Sequence, residues 1–257
     1  MAYGGKAAII IRMQSPTISE AYRIVGTPRF GGILVVADHA SNRVPGDIDL
    51  GIAPELMDQH IAIDIGVAGI AERMAARQGT AALLGNVSRL VCDTNRTEQD
   101  PAAIPEASDG HAIPGNLGID REARLARFHR PFHAKLTGLL EETPPALTLI
   151  LHSFTPCLAC KPDEKRPWHC GLLYDEDDRG ARAAQPLLEA EGLIVGDQQP
   201  YSGKVYNAAI ERHVESEGRP YLYIEVRQDL IADAAGQAEW AERLARICNQ
   251  VAIGIGE

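Results

Sequence analysis

The chain has 257 residues, 45% of them hydrophobic, and a formal net charge of −10. This length and apolar content suit one large α/β domain over residues 1–257, and the acidic balance, without any dense Lys/Arg run, excludes a nucleic-acid polyanion as principal partner. No stretch approaches the roughly 18 to 20 apolar residues that span a bilayer, and the opening MAYGGKAAIIIRMQSPT shows no export signal. A cytoplasmic protein acting on a small molecule, with no membrane partner, is therefore expected; oligomeric state has no signature in the sequence.

In chain order, apolar runs of strand length occur at Ile33–Ala37, Thr80–Leu84, Leu147–Leu151, Gly171–Tyr174, Leu193–Val195 and Tyr221–Val226. Between them, Pro54–Gln78, Ile119–Glu142, Asp178–Glu191 and Gln237–Val251 carry helical spacing and good helix formers. This alternation predicts a largely parallel sheet covered by helices on both faces. The stretch 97–118 is rich in Pro, Gly, Asp and Ser and reads as a functional loop or lid.

In an open α/β sheet, ligands bind beyond the carboxyl ends of the strands. Three predicted strands end in chemistry: Ile33–Ala37 runs into Asp38 and His39, Leu147–Leu151 into His152 and Ser153, and Tyr221–Ile224 into Glu225. Neutral imidazole is a preferred zinc donor, which makes His39 and His152 the natural metal ligands. A catalytic zinc takes a third protein ligand, and DQHIAID supplies Asp58, His60 and Asp64. On a helix, Asp58 and His60 point about 200° apart, whereas His60 and Asp64 share a face, so a carboxylate there could orient the second imidazole nitrogen.

Glu225, flanked by apolar neighbours in a buried strand, is either paired with a cation such as Arg227 or Arg96 or poised as a base. The run SRLVCDTNR supplies Arg89, Asp93, Asn95 and Arg96, and an arginine fork beside an asparagine suits a substrate with a free carboxylate. Cys92, Cys157, Cys160, Cys170 and Cys248 are odd in number, so a complete disulfide framework is not expected. Cys157 and Cys160 have the spacing of half a structural zinc site, with Cys170 within reach, but a second well-spaced pair is missing.

The ordered set DHASNRVP, DQHIAIDIG, SRLVCDTNR, LHSFTP, PYSG and IEVRQDL, spread over residues 38–230, resembles the N-formylglutamate amidohydrolase family, and its broad branch more than its histidine-degradation members. The resemblance implies a three-layer α/β/α fold with a mixed, largely parallel sheet, related to that of zinc carboxypeptidases, and one catalytic zinc. It assigns His39 and His152 to the metal, Asn95 and Arg96 to the substrate carboxylate, and Glu225 to the general base. Arg89 is assigned a catalytic role beside Glu225; Ser153, Tyr201 and Ser202 are assigned to substrate binding. Carboxypeptidases carry a glutamate ligand three residues after the first histidine, where this chain has Asn42, so the remaining ligand is expected from Asp58 or His60, with Asp64 the further candidate.

The reaction implied is metal-dependent hydrolysis of an N-acyl amino acid, with N-formyl-L-glutamate giving formate and glutamate. Two other classes compete: a non-catalytic binding protein that keeps the pocket, and a cysteine hydrolase using Cys157 or Cys170. The unpaired acid at position 225 favours the metal-dependent enzyme.

Overall fold

The computed structural model describes residues 18–206 and 209–256. The opening segment, for which no export signal is expected, lies outside the described residues. Nine strands are present among them: β1 (Tyr22–Gly26), β2 (Ile33–Ala37), β3 (Thr80–Gly85), β4 (Ala107–Ser108), β5 (His111–Ala112), β6 (Leu147–Phe154), β7 (Cys170–Leu173), β8 (Val195–Asp197) and β9 (Tyr221–Arg227). All but the β4–β5 hairpin belong to one sheet of order β1-β3-β2-β6-β9-β7-β8.

The central four, β3, β2, β6 and β9, run parallel, while β1 joins β3 and β7 joins β9 antiparallel. β2 and β6 are buried along their whole length, as strands covered on both faces must be. Helices α1 (Val67–Ala75), α4 (Arg179–Glu189) and α7 (Ala234–Gly254) pack together over one face. α3 (Arg130–Glu142), which continues the short α2 (Arg121–Arg124) through one π-helical turn, covers the other face with α6 (Ala209–Glu215); α5 (Gly203–Tyr206) is a single turn. The expected three-layer α/β/α arrangement with a mixed, largely parallel sheet is observed.

One expectation needs correction. Residues 54–78 are not one helix: a 3₁₀ turn covers Pro54–Asp58, irregular chain follows, and α1 begins only after Gly66. Gly66 has φ +83°, and a Cβ there would lie 2.1 Å from the Ile231 carbonyl oxygen, so the chain turns sharply where a helix would continue. The irregular part is held by Asp64 N–H donating to the His39 carbonyl and by Ser88 Oγ donating to the Ala62 carbonyl.

Within 97–118, Ile104 and Ile113 are buried in a separate apolar cluster with Leu50, Ile61, Leu90 and Phe128, and the β4–β5 hairpin brings Asp109 at its tip beside His60. β1 is a short edge strand whose alternation is too brief to be legible in sequence.

Candidate active site

The carboxyl ends of β2, β6 and β9 lie side by side, and the sheet register sets His152 directly beside Glu225. Asp38 and His39 follow β2 without a break. The chain can close there because Gly85 on β3 has no side chain; a Cβ would lie 1.8 Å from the Asp38 carbonyl oxygen. Two imidazoles separated by more than a hundred residues thereby come within 5.0 Å, centroid to centroid, edge to face.

Carboxylates surround the two rings. Asp64 Oδ2 stands 2.9 Å from His152 Nδ1 and 3.5 Å from His39 Nδ1. With Asp64 on both Nδ1 atoms, both Nε2 atoms turn toward Asp38, at 2.9 Å from His39 and 3.0 Å from His152. Asp93 Oδ1 also lies 2.8 Å from His39 Nε2. Arg89 closes the cluster from outside, 3.3 Å from Asp64 and 2.9 Å from Asp93.

Burial opposes charge on all of these groups, and their mutual attraction outweighs it. His152 is lifted to about 10 by Asp38 and Asp64 despite burial, and His39 is raised in the same way by Asp38, Asp93 and Asp64. Asp38 and Asp64 are held below the usual carboxylate range against their burial by the two histidines, and Asp93 by His39 and Arg89. Glu225 behaves differently: burial pushes its carboxyl up to about 7 against the pull of His152, with Asp64 adding to the rise.

Asp38, His39 and His152 offer three donor atoms within 4.8 Å of one another, all buried. Neither oxygen of Asp38 has a hydrogen-bond partner although both lie near imidazole nitrogens. Buried polar atoms left without a partner are the kind that a bound ion satisfies. Two nitrogens and one oxygen, with Asp64 bonded to the second nitrogen of His152 and 3.5 Å from that of His39, fit a divalent ion such as zinc with an open position.

Residues 31–232 match the sequence pattern of the N-formylglutamate amidohydrolases. The chain belongs to the N-formylglutamate amidohydrolase family. A gene product of Agrobacterium tumefaciens is 28% identical and superposes with a TM-score of 0.85 over 93% of this chain and 97% of its own. An N-formylglutamate amidohydrolase from Ralstonia eutropha JMP134 is 18% identical, with a TM-score of 0.66 over 93% of this chain and 99% of its own, and shares the fold. No curated protein matches the sequence.

The residues singled out in the sequence fall into two groups. His39, His60, Arg89, Asn95, Arg96, His152, Ser153, Tyr201 and Glu225 all line one cavity. Asn95 Nδ2 donates to the Tyr223 hydroxyl at 3.2 Å and lies 3.5 Å from His152 Nε2, and the Ser153 amide donates to Asp64 Oδ2. Tyr201 accepts from Arg166 at 3.0 Å, and Ser202 beside it is outside the cavity wall.

Asp58 and His60 do not join the metal cluster. Asp58 accepts from Asn42 Nδ2 at 2.9 Å on the surface, and His60 Nε2 stands 3.0 Å from Asp109 at the hairpin tip. Without a continuous helix, the i, i+4 relation of His60 and Asp64 no longer brings them to one face, and Asp64 serves His39 and His152 instead.

Asp38 and Tyr223 belong to the site although sequence reasoning assigns neither of them a role. Asp38 is adjacent to His39, and Tyr223 shares a strand face with Glu225 at i, i+2, so both signals are present in the sequence. All five cysteines are free; burial pushes the Cys170 thiol up to about 12, which denies it a thiolate, and no metal cluster among the described residues contains a cysteine. No helix among the described residues is long and apolar enough to cross a membrane.

Proposed function

We propose that this protein is a zinc-dependent amidohydrolase that cleaves N-acyl amino acids bearing a free carboxylate, N-formyl-L-glutamate foremost, to the acid and the amino acid. The observation that carries this reading is the convergence of the Asp38, His39 and His152 donors with a buried, proton-retaining Glu225 at one cavity. Family membership supports the amide as the bond attacked.

Asp38, His39 and His152 would hold the ion, which when bound supplies Lewis-acid polarisation of a carbonyl and activation of water at neutral pH. Glu225 holds and moves the proton. With its carboxyl near 7 it exists in both protonation states around neutrality, and its Oε2 is buried without a hydrogen-bond partner. It can take a proton from the attacking water and return it to the departing nitrogen, and the match of its pKa to working pH is what general acid–base catalysis requires.

Asn95 and Arg96 bind the substrate carboxylate, the first through its amide and the second through its planar fork. Arg89 is a positioning residue, since its guanidinium is already engaged by Asp64 and Asp93. The test is hydrolysis of N-formyl and N-acetyl amino acids, each as free acid and as carboxamide, by zinc-loaded and by chelated protein. Turnover of the free acids, lost on chelation and restored by zinc, is expected. Binding without turnover would favour the non-catalytic protein, and turnover indifferent to chelation would remove the metal from the proposal.

A further inference from the structure

Three histidines take no part in the chemistry above, yet they converge on the loop that carries Asn95 and Arg96. His129 ends the π-helical turn, His133 lies one helical turn on in α3, and His213 is on α6. His129 Nε2 is 2.8 Å from the Arg96 carbonyl oxygen and His133 Nε2 is 2.8 Å from the Thr94 carbonyl oxygen, so the pair grips the backbone on either side of Asn95.

A carbonyl only accepts, which places a proton on both Nε2 atoms. His133 Nδ1 faces His213 Nε2 at 2.8 Å, and one proton must serve the two nitrogens. Burial, with His129 and His213 beside it, pushes His133 down to about 3, so its ring is neutral and Nδ1 is the acceptor. His213 Nε2 is then the donor. Burial lowers His213 as well, and its Nδ1 accepts from Thr137 Oγ1 at 3.3 Å. The hydrogen bonds therefore run one way, from Thr137 through His213 and His133 to the Thr94 carbonyl. The His133 and His213 rings are stacked with centroids 5.0 Å apart, and the His129 ring lies tilted against His133 at 4.2 Å.

The same loop is tied from the metal side, where Asp93 Oδ1 accepts from the Asn95 amide at 2.9 Å and the Asp93 carbonyl accepts from the Arg96 amide. Asp93 thus holds the N–H groups of the loop, and the histidines hold its carbonyls. Directional contacts on both sides fix the backbone conformation that aims a side chain.

We propose that His129, His133 and His213 form a histidine ladder that positions the Thr94–Arg96 loop, and so sets Asn95 and Arg96 for the carboxylate of the substrate. The carboxylate role of those two residues rests on the proposed function; the positioning of the loop does not. None of the three histidines touches the reacting atoms.

The test compares His133→Leu, which removes the donor, with His133→Gln, whose amide N–H can reach the Thr94 carbonyl. His213→Ala, at the outer end of the ladder beside an open groove, is the variant if His133→Leu fails to fold. Two measurements are made on zinc-loaded protein: hydrogen–deuterium exchange over residues 93–98 without substrate, and KM and kcat on an N-formyl amino acid and its carboxamide. Loss of the donor should speed exchange in this loop and raise KM for the free acid about 3- to 10-fold, with kcat and zinc content kept and KM for the carboxamide unmoved. His133→Gln should restore both readouts most of the way. Unchanged exchange in His133→Leu and His213→Ala overturns the ladder. Faster exchange with unchanged KM on both substrates overturns its part in binding. Faster exchange with equal KM increases on acid and carboxamide keeps the positioning and removes the carboxylate from the proposed function.

Discussion

The molecule holds two histidine clusters, one buried and one half-buried, that differ in what surrounds them. His39 and His152 lie among Asp38, Asp64 and Asp93, which raise both imidazoles despite burial. His129, His133 and His213 lie against backbone carbonyls and one another, and burial lowers His133 and His213. Carboxylates make the first cluster a place that wants positive charge, whether proton or metal ion. At His133 and His213, burial against neutral acceptors makes a place that excludes it, where the imidazole serves as a rigid hydrogen-bond donor. The residue type is the same, and the neighbours decide between ligand and strut. The loop 93–96 runs between the two, since Asp93 touches His39 while Thr94 and Arg96 present carbonyls to the ladder.

The comparison breaks first if the acidic cluster has no chemical work. Glu225→Gln keeps the shape of the side chain and removes the proton carrier, so kcat should fall by about 10² to 10⁴. Zinc content measured on the same samples should not change. Full turnover in this variant would reduce Glu225 to a buried acid beside His152.

The next largest effect is expected on the connecting loop. Arg96→Ala should lower kcat/KM by about 10- to 150-fold on a free acid, as loss of a charge-assisted contact does. Wild type should lose a similar factor on the carboxamide, and the two losses should not add. If wild type turns over acid and carboxamide alike, Arg96 does not read a carboxylate. Asp64→Asn sharpens the contrast itself, because a carboxylate bonded to His152 Nδ1 and facing His39 Nδ1 is what distinguishes the first cluster from the second. Zinc affinity, measured by competition with a chelator, should weaken about 10- to 100-fold. Unaltered affinity would mean that Asp64 orients neither ring.

The strand-borne half of the site is legible in the sequence, and the loop-borne half is not. His39, His152 and Glu225 stand out because a buried apolar run seldom ends in a titratable side chain unless that side chain has a partner or a task, and parallel strands bring their carboxyl ends together. Asp64 is visible as a candidate but with the wrong neighbour, since an i, i+4 argument holds only if the helix is continuous, and Gly66 ends that continuity in a way that composition alone does not show. Asp38 is hidden behind Asp58 and His60 because the turn at the end of β2, not a spacing rule, brings its carboxylate beside both imidazoles. His129 and His133 do carry a helical i, i+4 signal, but their partners are backbone carbonyls, which have no residue letter. The strand expected at Leu193–Val195 forms slightly later, as β8.

The smallest predicted effect separates the clusters by the sign of their pH linkage. His133 is about 3 in the folded protein, below the ordinary histidine value near 6.5. Between those values the unfolded chain binds a proton that the folded protein refuses, so this residue's contribution to stability is present above about 6.5 and is lost as pH falls toward 3. The slope is at most about 1.4 kcal/mol per pH unit for one proton. His39 and His152 act with the opposite sign: their folded values are raised, so below about 6.5 their stabilisation is fully present and flat, and it is lost only as pH rises. Glu225 also opposes His133 in this window, because folding raises its carboxyl to about 7 and so takes up a proton. The measurement must therefore be a difference. Chemical denaturation of chelated wild type and His133→Gln, from about pH 6.5 down to about 4.5, cancels every group the two proteins share. The stability advantage of wild type should shrink steadily across that range, because glutamine has no proton to refuse. A constant difference would show that His133 takes up its proton in the folded state, and the one-way order of hydrogen bonds from Thr137 to Thr94 would then have to be reversed at the His133–His213 contact.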